Sequence, residues 1–166
     1  MSFDPRALRT AFGSFATGIA IVTARLGEDV VGITVNSLTS VSLDPALLLF
    51  CLKVESRHQA AFAVGHAFAV NILSDQQRAL SDGYASSAHQ TQLLPGMIDR
   101  PDAAPLVDQA ISVFDCTVVQ QVVAGDHLIL IGQINHFTVS DTPAEPLLYV
   151  RGQYRHPGDA VPASHA

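Results

Sequence analysis

In the C-terminal third, two extended runs rich in β-branched and apolar residues, Ile111 to Val123 and His127 to Val139, are separated only by Ala124-Gly125-Asp126. So short a connection containing a glycine turns the chain straight back, and the two runs are read as one long antiparallel hairpin. Further strands are expected upstream. Ile19 to Ala24 is dense in β-branched residues and reads as a buried strand, followed by a turn at Gly27-Glu28-Asp29 and a second strand from Val30 to Asn36. Ala46 to Leu52 and Ala67 to Leu73 are two more, and Pro146 to Tyr154 gives a last short one. Six or seven strands, with helices that do not alternate regularly with them, point to a closed or nearly closed antiparallel β-barrel.

Helices are expected at the margins. Asp4-Pro5 opens one, with Asp as N-cap and Pro at the first helical position. Leu8, Phe12 and Phe15 follow at helical spacing, with Ala7 and Ala11 beside them, and Gly13 and Gly18 weaken and end it. Ser56 with Gln59, and Ser74 with Gln77, each fit a capping box at the start of a short helix. Residues 81–104 are polar and interrupted by Gly83, Pro95, Gly96 and Pro101, and read as a long irregular loop. The segment from His156 onward reads as a flexible tail, leaving residues 1–155 as one domain.

The chain has 166 residues, 48% hydrophobic and 14% charged, a balance that suits a large core with some burial between subunits. Its net charge is −6 with nine Lys plus Arg and no basic run, which argues against nucleic acid as a partner. The apolar stretch Ile19 to Ala24 is far too short to cross a membrane, and Met1 to Arg6 does not open a signal peptide; a cytoplasmic protein is the expectation. Cys51 and Cys116, both among apolar neighbours, are expected to be free buried thiols rather than a disulfide. His58, His66, His89, His127, His136, His156 and His165 are scattered without a metal-binding spacing, so no metal is expected. Gly13 and Gly18 copy half of a phosphate-binding P-loop, but Ile19-Ala20 stand where Lys and Ser or Thr are required. Neither a dinucleotide-binding glycine pattern nor a serine-hydrolase elbow is present.

Thr34-Val35-Asn36-Ser37-Leu38-Thr39-Ser40-Val41-Ser42 holds five hydroxyls and one carboxamide in nine positions. Two readings stand side by side. The hydroxyls bond the local backbone in an ordinary turn, or they present short neutral donors to the polar edge of a planar heterocycle and its phosphate. Lys53, the only lysine, follows an apolar strand and precedes the helix start at Ser56. It either solubilises a strand end or helps to form an anion pocket.

The order Phe12-x-x-Phe15-Ala16-Thr17-Gly18, Ile21-Val22-Thr23, then Gly32 through Pro45, resembles the flavin reductase family. So do Phe68 to Leu73, Gly125-Asp126-His127 and Gly152-Gln153-Tyr154, in the same order, over about residues 7–155. The resemblance implies a mainly β, FMN-binding split β-barrel of antiparallel, Greek-key type, with a few flanking helices. It further implies a homodimer that binds FMN or FAD near its interface and takes a hydride from NADH or NADPH. Such proteins often supply reduced flavin to a monooxygenase partner. Carried onto this chain, Thr34, Val35, Asn36, Ser37, Leu38, Thr39, Ser40 and Ser42 would cradle the isoalloxazine and ribityl phosphate. Cys51, Leu52 and Lys53 would line its far side, and Ser56 with Arg57 would approach the phosphate. His127 would stand where the nicotinamide enters, and Tyr154 would close the same pocket. The family often has an aromatic residue where this chain has Leu38, and the stretch from Ser81 to Leu94 lacks an expected Arg-Phe pair. Two alternatives are a flavoprotein that retains FMN as an electron carrier, and a split barrel that binds another ligand without catalysis.

Overall fold

A computed structural model describes residues 3–158 of the chain. Helix α1 (Pro5–Phe12) begins where the Asp4 side chain accepts a hydrogen bond from the Arg6 N–H at 3.0 Å, and ends as the Gly13 N–H bonds the Arg9 carbonyl at 2.8 Å. The strands follow: β1 (Thr17–Gly18), β2 (Ala20–Leu26), β3 (Asp29–Val35), β4 (Thr39–Leu43), β5 (Ala46–Lys53) and β6 (Ala67–Ile72). Helix α2 (Arg78–Ala85) precedes β7 (Met97–Ile98), β8 (Leu106–Val107), β9 (Ser112–Ala124), β10 (His127–Val139), β11 (Leu148–Val150) and β12 (Gln153–Arg155).

The main sheet has seven antiparallel strands in the order β3-β2-β6-β9-β10-β5-β4. Laid flat, its outer strands would lie roughly 29 Å apart at the usual spacing of about 4.8 Å. Yet β3 and β4 are consecutive, joined only by Asn36, Ser37 and Leu38. From Val35 to Thr39 the chain can reach no more than about 15 Å. The sheet must therefore curl until its two edges face each other, which is the split barrel anticipated above. The long hairpin β9–β10 forms its backbone, β9 pairing with β6 and β10 with β5.

Phe50, Phe62 and Phe68 fill the barrel interior, with ring centroids 5.5 to 6.3 Å apart. Phe68 lies so close to β10 that only a glycine fits at Gly132: a Cβ there would stand 2.3 Å from Phe68 Cζ. A second apolar cluster, including Ile19, Ile21, Leu73, Tyr84 and Val107, packs between the outer face of the sheet and the segment that carries α2. Buried Asn71 and Thr23 fasten that segment. Asn71 Oδ1 accepts from the Val107 N–H at 2.9 Å, and Thr23 Oγ1 donates to the Pro105 carbonyl at 2.5 Å.

Several expectations need correction. Residues 81–104 do not form one irregular loop, because α2 runs through Ala85 and β7 pairs with β8. Ser81 and Gly83 are weak helix formers; burial of Ser81 and Tyr84 against the barrel holds the helix. Thr39–Leu43 is not a turn but an edge strand paired with β5. The final strand is two, β11 and β12, folded back through Arg151 and Gly152, both at positive φ. The capping box at Ser74 forms, with Gln77 Oε1 accepting from the Ser74 N–H at 2.9 Å. The one at Ser56 does not. The Gln59 amide turns away to the Val54 carbonyl, Ser56 Oγ accepts from the His58 N–H at 3.2 Å, and only a single 3-10 turn (Gln59–Phe62) follows. Cys51 and Cys116 are free thiols, as expected, but only Cys116 is buried; Cys51 is half-buried. Among the described residues no helix is long and apolar enough to cross a membrane. Of the tail expected from His156 onward, His156 to Gly158 are described, with His156 Nδ1 lying 3.0 Å from Asp75 Oδ2; the remainder lies outside the described residues.

Candidate functional site

The split in the barrel is where the site lies. Strand β4 covers β5 only as far as Leu49, so Cys51, Leu52 and Lys53 run beyond their last β4 partner. Ser37, in the β3–β4 connection, reaches across the gap, and its Oγ accepts the Cys51 N–H at 3.0 Å. That bond uses a hydroxyl lone pair and leaves the Ser37 proton free to donate. The opening holds a cavity of about 690 Å³, within the usual range for ligand sites. Ile33, Val35 and Leu52 give it apolar wall; Asn36, Ser37, Lys53, Ser56 and Arg57 give it polar rim. Thr34 also lines it, with its hydroxyl committed to the Ser81 carbonyl at 2.7 Å.

His127 opens β10, and antiparallel pairing sets it opposite Lys53 at the same end of the cavity. Its Nδ1 lies 2.8 Å from Asp126 Oδ1. The hydrogen bond from His127 and the imidazole's charge hold the Asp126 carboxyl below its ordinary value. With Nδ1 engaged in this way, Nε2 is the nitrogen left for a ligand.

At the other end, the chain after α2 folds over the opening. The Gly32 N–H donates to the Gln90 carbonyl at 2.8 Å, and the Arg57 guanidinium bonds the Ser87 carbonyl. Arg57 Nε also donates to His58 Nε2 at 3.1 Å, and Gln90 Oε1 lies 3.2 Å from the same nitrogen. Burial first, and the neighbouring Arg57 charge second, push the His58 pKa below its ordinary value of 6.5. The lining side chains include two cations, Lys53 and Arg57, and one carboxylate, Glu55, and the Asp126 carboxylate stands beside His127 at the Lys53 end. The arrangement suits a ligand with an anionic group and a flat apolar body.

Of the site residues expected from sequence, the structure brings Thr34, Val35, Asn36, Ser37, Cys51, Leu52, Lys53, Ser56, Arg57 and His127 to this one cavity. The other five lie elsewhere in the chain's own fold. Leu38 packs against the barrel core. Thr39, Ser40 and Ser42 sit on the edge strand β4. Tyr154 stands behind α2, its hydroxyl 2.9 Å from Ser81 Oγ and its ring beneath the Arg78 guanidinium at 4.9 Å. Sequence reasoning missed Ile33, Glu55, His58, Ala85, Ser87 and Gln90, which also line the cavity. His58 adjoins Ser56-Arg57 and could have been found there. Ala85, Ser87 and Gln90 carry no local signal, because only the return of the chain over β3 brings them in. Among the described residues no group of three or more His, Cys, Asp and Glu could hold a metal ion.

Comparison with known proteins adds to this geometry. A family model described as the flavin reductase like domain matches residues 12–158. A probable flavin reductase of Rhizobium meliloti (strain 1021) is 39% identical over 166 residues, covering 98% of this chain and 53% of that protein. The reductase component of the flavin-dependent trigonelline monooxygenase of Acinetobacter baylyi is 42% identical over 155 residues, covering 92% of this chain and 49% of that protein. The chain thus spans about half the length of these two relatives. Among solved structures, the NADH:FAD oxidoreductase of Streptomyces globisporus C-1027, in complex with NAD and FAD fragments, superposes with a TM-score of 0.81 at 30% identity, covering 99% of each chain. With the family model spanning nearly the whole barrel and its cavity, this chain belongs to the flavin reductase like family.

Proposed function

We propose that the chain is an NAD(P)H:flavin oxidoreductase that reduces FMN or FAD and supplies it to a monooxygenase partner. The observation that carries this reading is the apolar-walled cavity in the barrel split, which joins the hydroxyl-bearing β3–β4 connection to the cations Lys53 and Arg57 and to His127. A flavin bound there would supply the redox chemistry, taking up the hydride that the nicotinamide gives. The residues present fit such a ligand. Ile33, Val35 and Leu52 offer surface for the ring, Asn36 and Ser37 offer donors to its polar edge, and Ser56 with Arg57 meets the phosphate. His127 positions the nicotinamide through Nε2, and Asp126 fixes its orientation. No side chain is required as acid or base in the main step; the protein orients two rings and excludes water.

The proposed assembly is a homodimer. No residue of α1 is buried, and Phe12 and Phe15 are 71% and 77% exposed. Leu43, on edge strand β4, is 95% exposed. Large apolar side chains left this open mark an interaction surface. A second copy placed there would also cover Thr39 and Ser40. The proposed setting is the cytoplasm, where nicotinamide cofactors circulate.

NADH and NADPH oxidation is measured with FMN and with FAD, using extensively dialysed protein. Colourless protein that turns over only with added flavin is expected. Protein that stays yellow and needs none would instead be a flavin-retaining carrier, and no oxidation under any addition would refute the proposal. His127→Ala is expected to raise the KM for the nicotinamide about tenfold while flavin affinity changes little; unchanged nicotinamide kinetics would remove His127 from the site. The mass in solution, from light scattering, tests the dimer.

A further inference from the structure

His58 is 6% exposed, and its Nε2 faces two partners of opposite kind. Arg57 Nε is a donor at 3.1 Å and Gln90 Oε1 an acceptor at 3.2 Å. The Gln90 amide is oriented by its own Nε2, which donates to the Tyr84 carbonyl at 3.3 Å. A neutral imidazole nitrogen either accepts or donates. It serves Arg57 or Gln90, never both at once, and its lowered pKa keeps it neutral near pH 7.

The two partners belong to different parts of the site. Arg57 lies on the cavity rim, whereas Gln90 lies on the segment folded over the opening and tied to β3 through its carbonyl. Resting on the flavin reading above, we propose that His58 is a positioning residue coupling the ligand's phosphate to this covering segment. When a phosphate seats on Arg57, the guanidinium is held with Nε toward His58, whose Nε2 then accepts. When Arg57 is unoccupied, the imidazole carries its proton on Nε2 and donates to Gln90, fastening the segment. Phosphate binding and fastening compete for one nitrogen. Arrival of the phosphate therefore releases the Gln90 side chain from His58, while the bonds from Gly32 and Arg57 to the Gln90 and Ser87 carbonyls still hold the segment.

The test compares FMN with riboflavin, which has the same ring and no phosphate, by fluorescence titration. His58→Ala is expected to weaken FMN binding about tenfold, or about 1.4 kcal/mol, with riboflavin changed less than about twofold. Gln90→Ala removes the competitor and is expected to tighten FMN about threefold, again sparing riboflavin. His58→Gln carries its acceptor oxygen and donor nitrogen on separate atoms, so it serves both partners and is expected to restore most of the FMN affinity. Equal weakening of both flavins in His58→Ala, or an unchanged FMN-to-riboflavin ratio in Gln90→Ala, would overturn the coupling. Should His58→Ala fail to fold, the Gln90→Ala ratio decides alone. If wild-type protein binds neither flavin, the flavin reading falls and the coupling with it; binding with an unchanged ratio refutes only the coupling.

Discussion

Gly32 lies in β3 beneath the ring of Tyr84, and an alanine there tests how the cavity's cover is held. A Cβ at Gly32 would stand 2.4 Å from Tyr84 Cε1 and 2.6 Å from Cδ1, well inside contact distance. Tyr84 is 2% exposed, and its hydroxyl donates to the Gln92 carbonyl at 2.8 Å, so the ring has no easy escape. Overpacking of this kind costs about 1–3 kcal/mol. For a domain of this size that lowers the Tm by roughly 3–10 °C. The consequence should reach the site, because the Gly32 N–H also holds the Gln90 carbonyl and Tyr84 anchors the segment bearing Ser87 and Gln90. By displacing Ser87 and Gln90 from the cavity wall, rather than only freeing the His58 nitrogen, Gly32→Ala is expected to lose about tenfold in affinity for FMN and for riboflavin alike, equivalent to about 1.4 kcal/mol. Gly132→Ala is the control. Its Cβ would meet Phe68 Cζ at 2.3 Å, within the phenylalanine cluster and away from the cavity. It should lower the Tm to a similar degree and leave FMN affinity alone. Calorimetry and flavin titration on both variants decide the matter. A Gly32→Ala protein with wild-type Tm and affinity, or equal losses of affinity in both variants, would refute the reasoning.

Other expectations are simpler. Burial, with the Asp115 charge behind it, pushes the Cys116 thiol up to about 12, so native Cys116 should resist thiol reagents between roughly pH 7 and 9. Cys51 lines the cavity and should label, with FMN slowing the reaction; a labelled native Cys116, or no protection of Cys51, would contradict this assignment. The folded-state pKa of His58 is lowered, so the unfolded chain takes up its proton first as pH falls. Its contribution to stability is thus complete above pH 6.5 and is lost as pH drops through 6.5 to the lower folded value. Denaturant melts of wild-type and His58→Gln protein should diverge in slope only over that acidic window; parallel curves would show that His58 does not titrate as described. Asn71→Leu leaves the buried Val107 N–H without its acceptor and should cost about 1–3 kcal/mol, measured as a lower urea midpoint.

Periodicity and turn chemistry by themselves determined much of this protein. The β9–β10 hairpin, the β2–β3 hairpin around Gly27, the Asp4 cap and the Ser74 capping box all rest on interactions between near neighbours in sequence, so local residue types suffice to reveal them. The hydroxyl-bearing connection after β3 and the lone Lys53 were visible for the same reason, and the order of short motifs pointed to the family. Tertiary structure alone decided the rest. Helix α2 forms from weak helix residues because Ser81 and Tyr84 find a buried face. Thr39–Leu43 becomes a strand because β5 offers it an edge. Tyr154 is drawn behind α2 by Ser81 and Arg78 instead of into the cavity. Gln90 and Ser87 reach the site only because the chain returns over β3. Except for the short β4–β5 hairpin, these outcomes depend on contacts between segments tens of residues apart, whose free energy is set by the curled sheet and is absent from any local stretch of sequence.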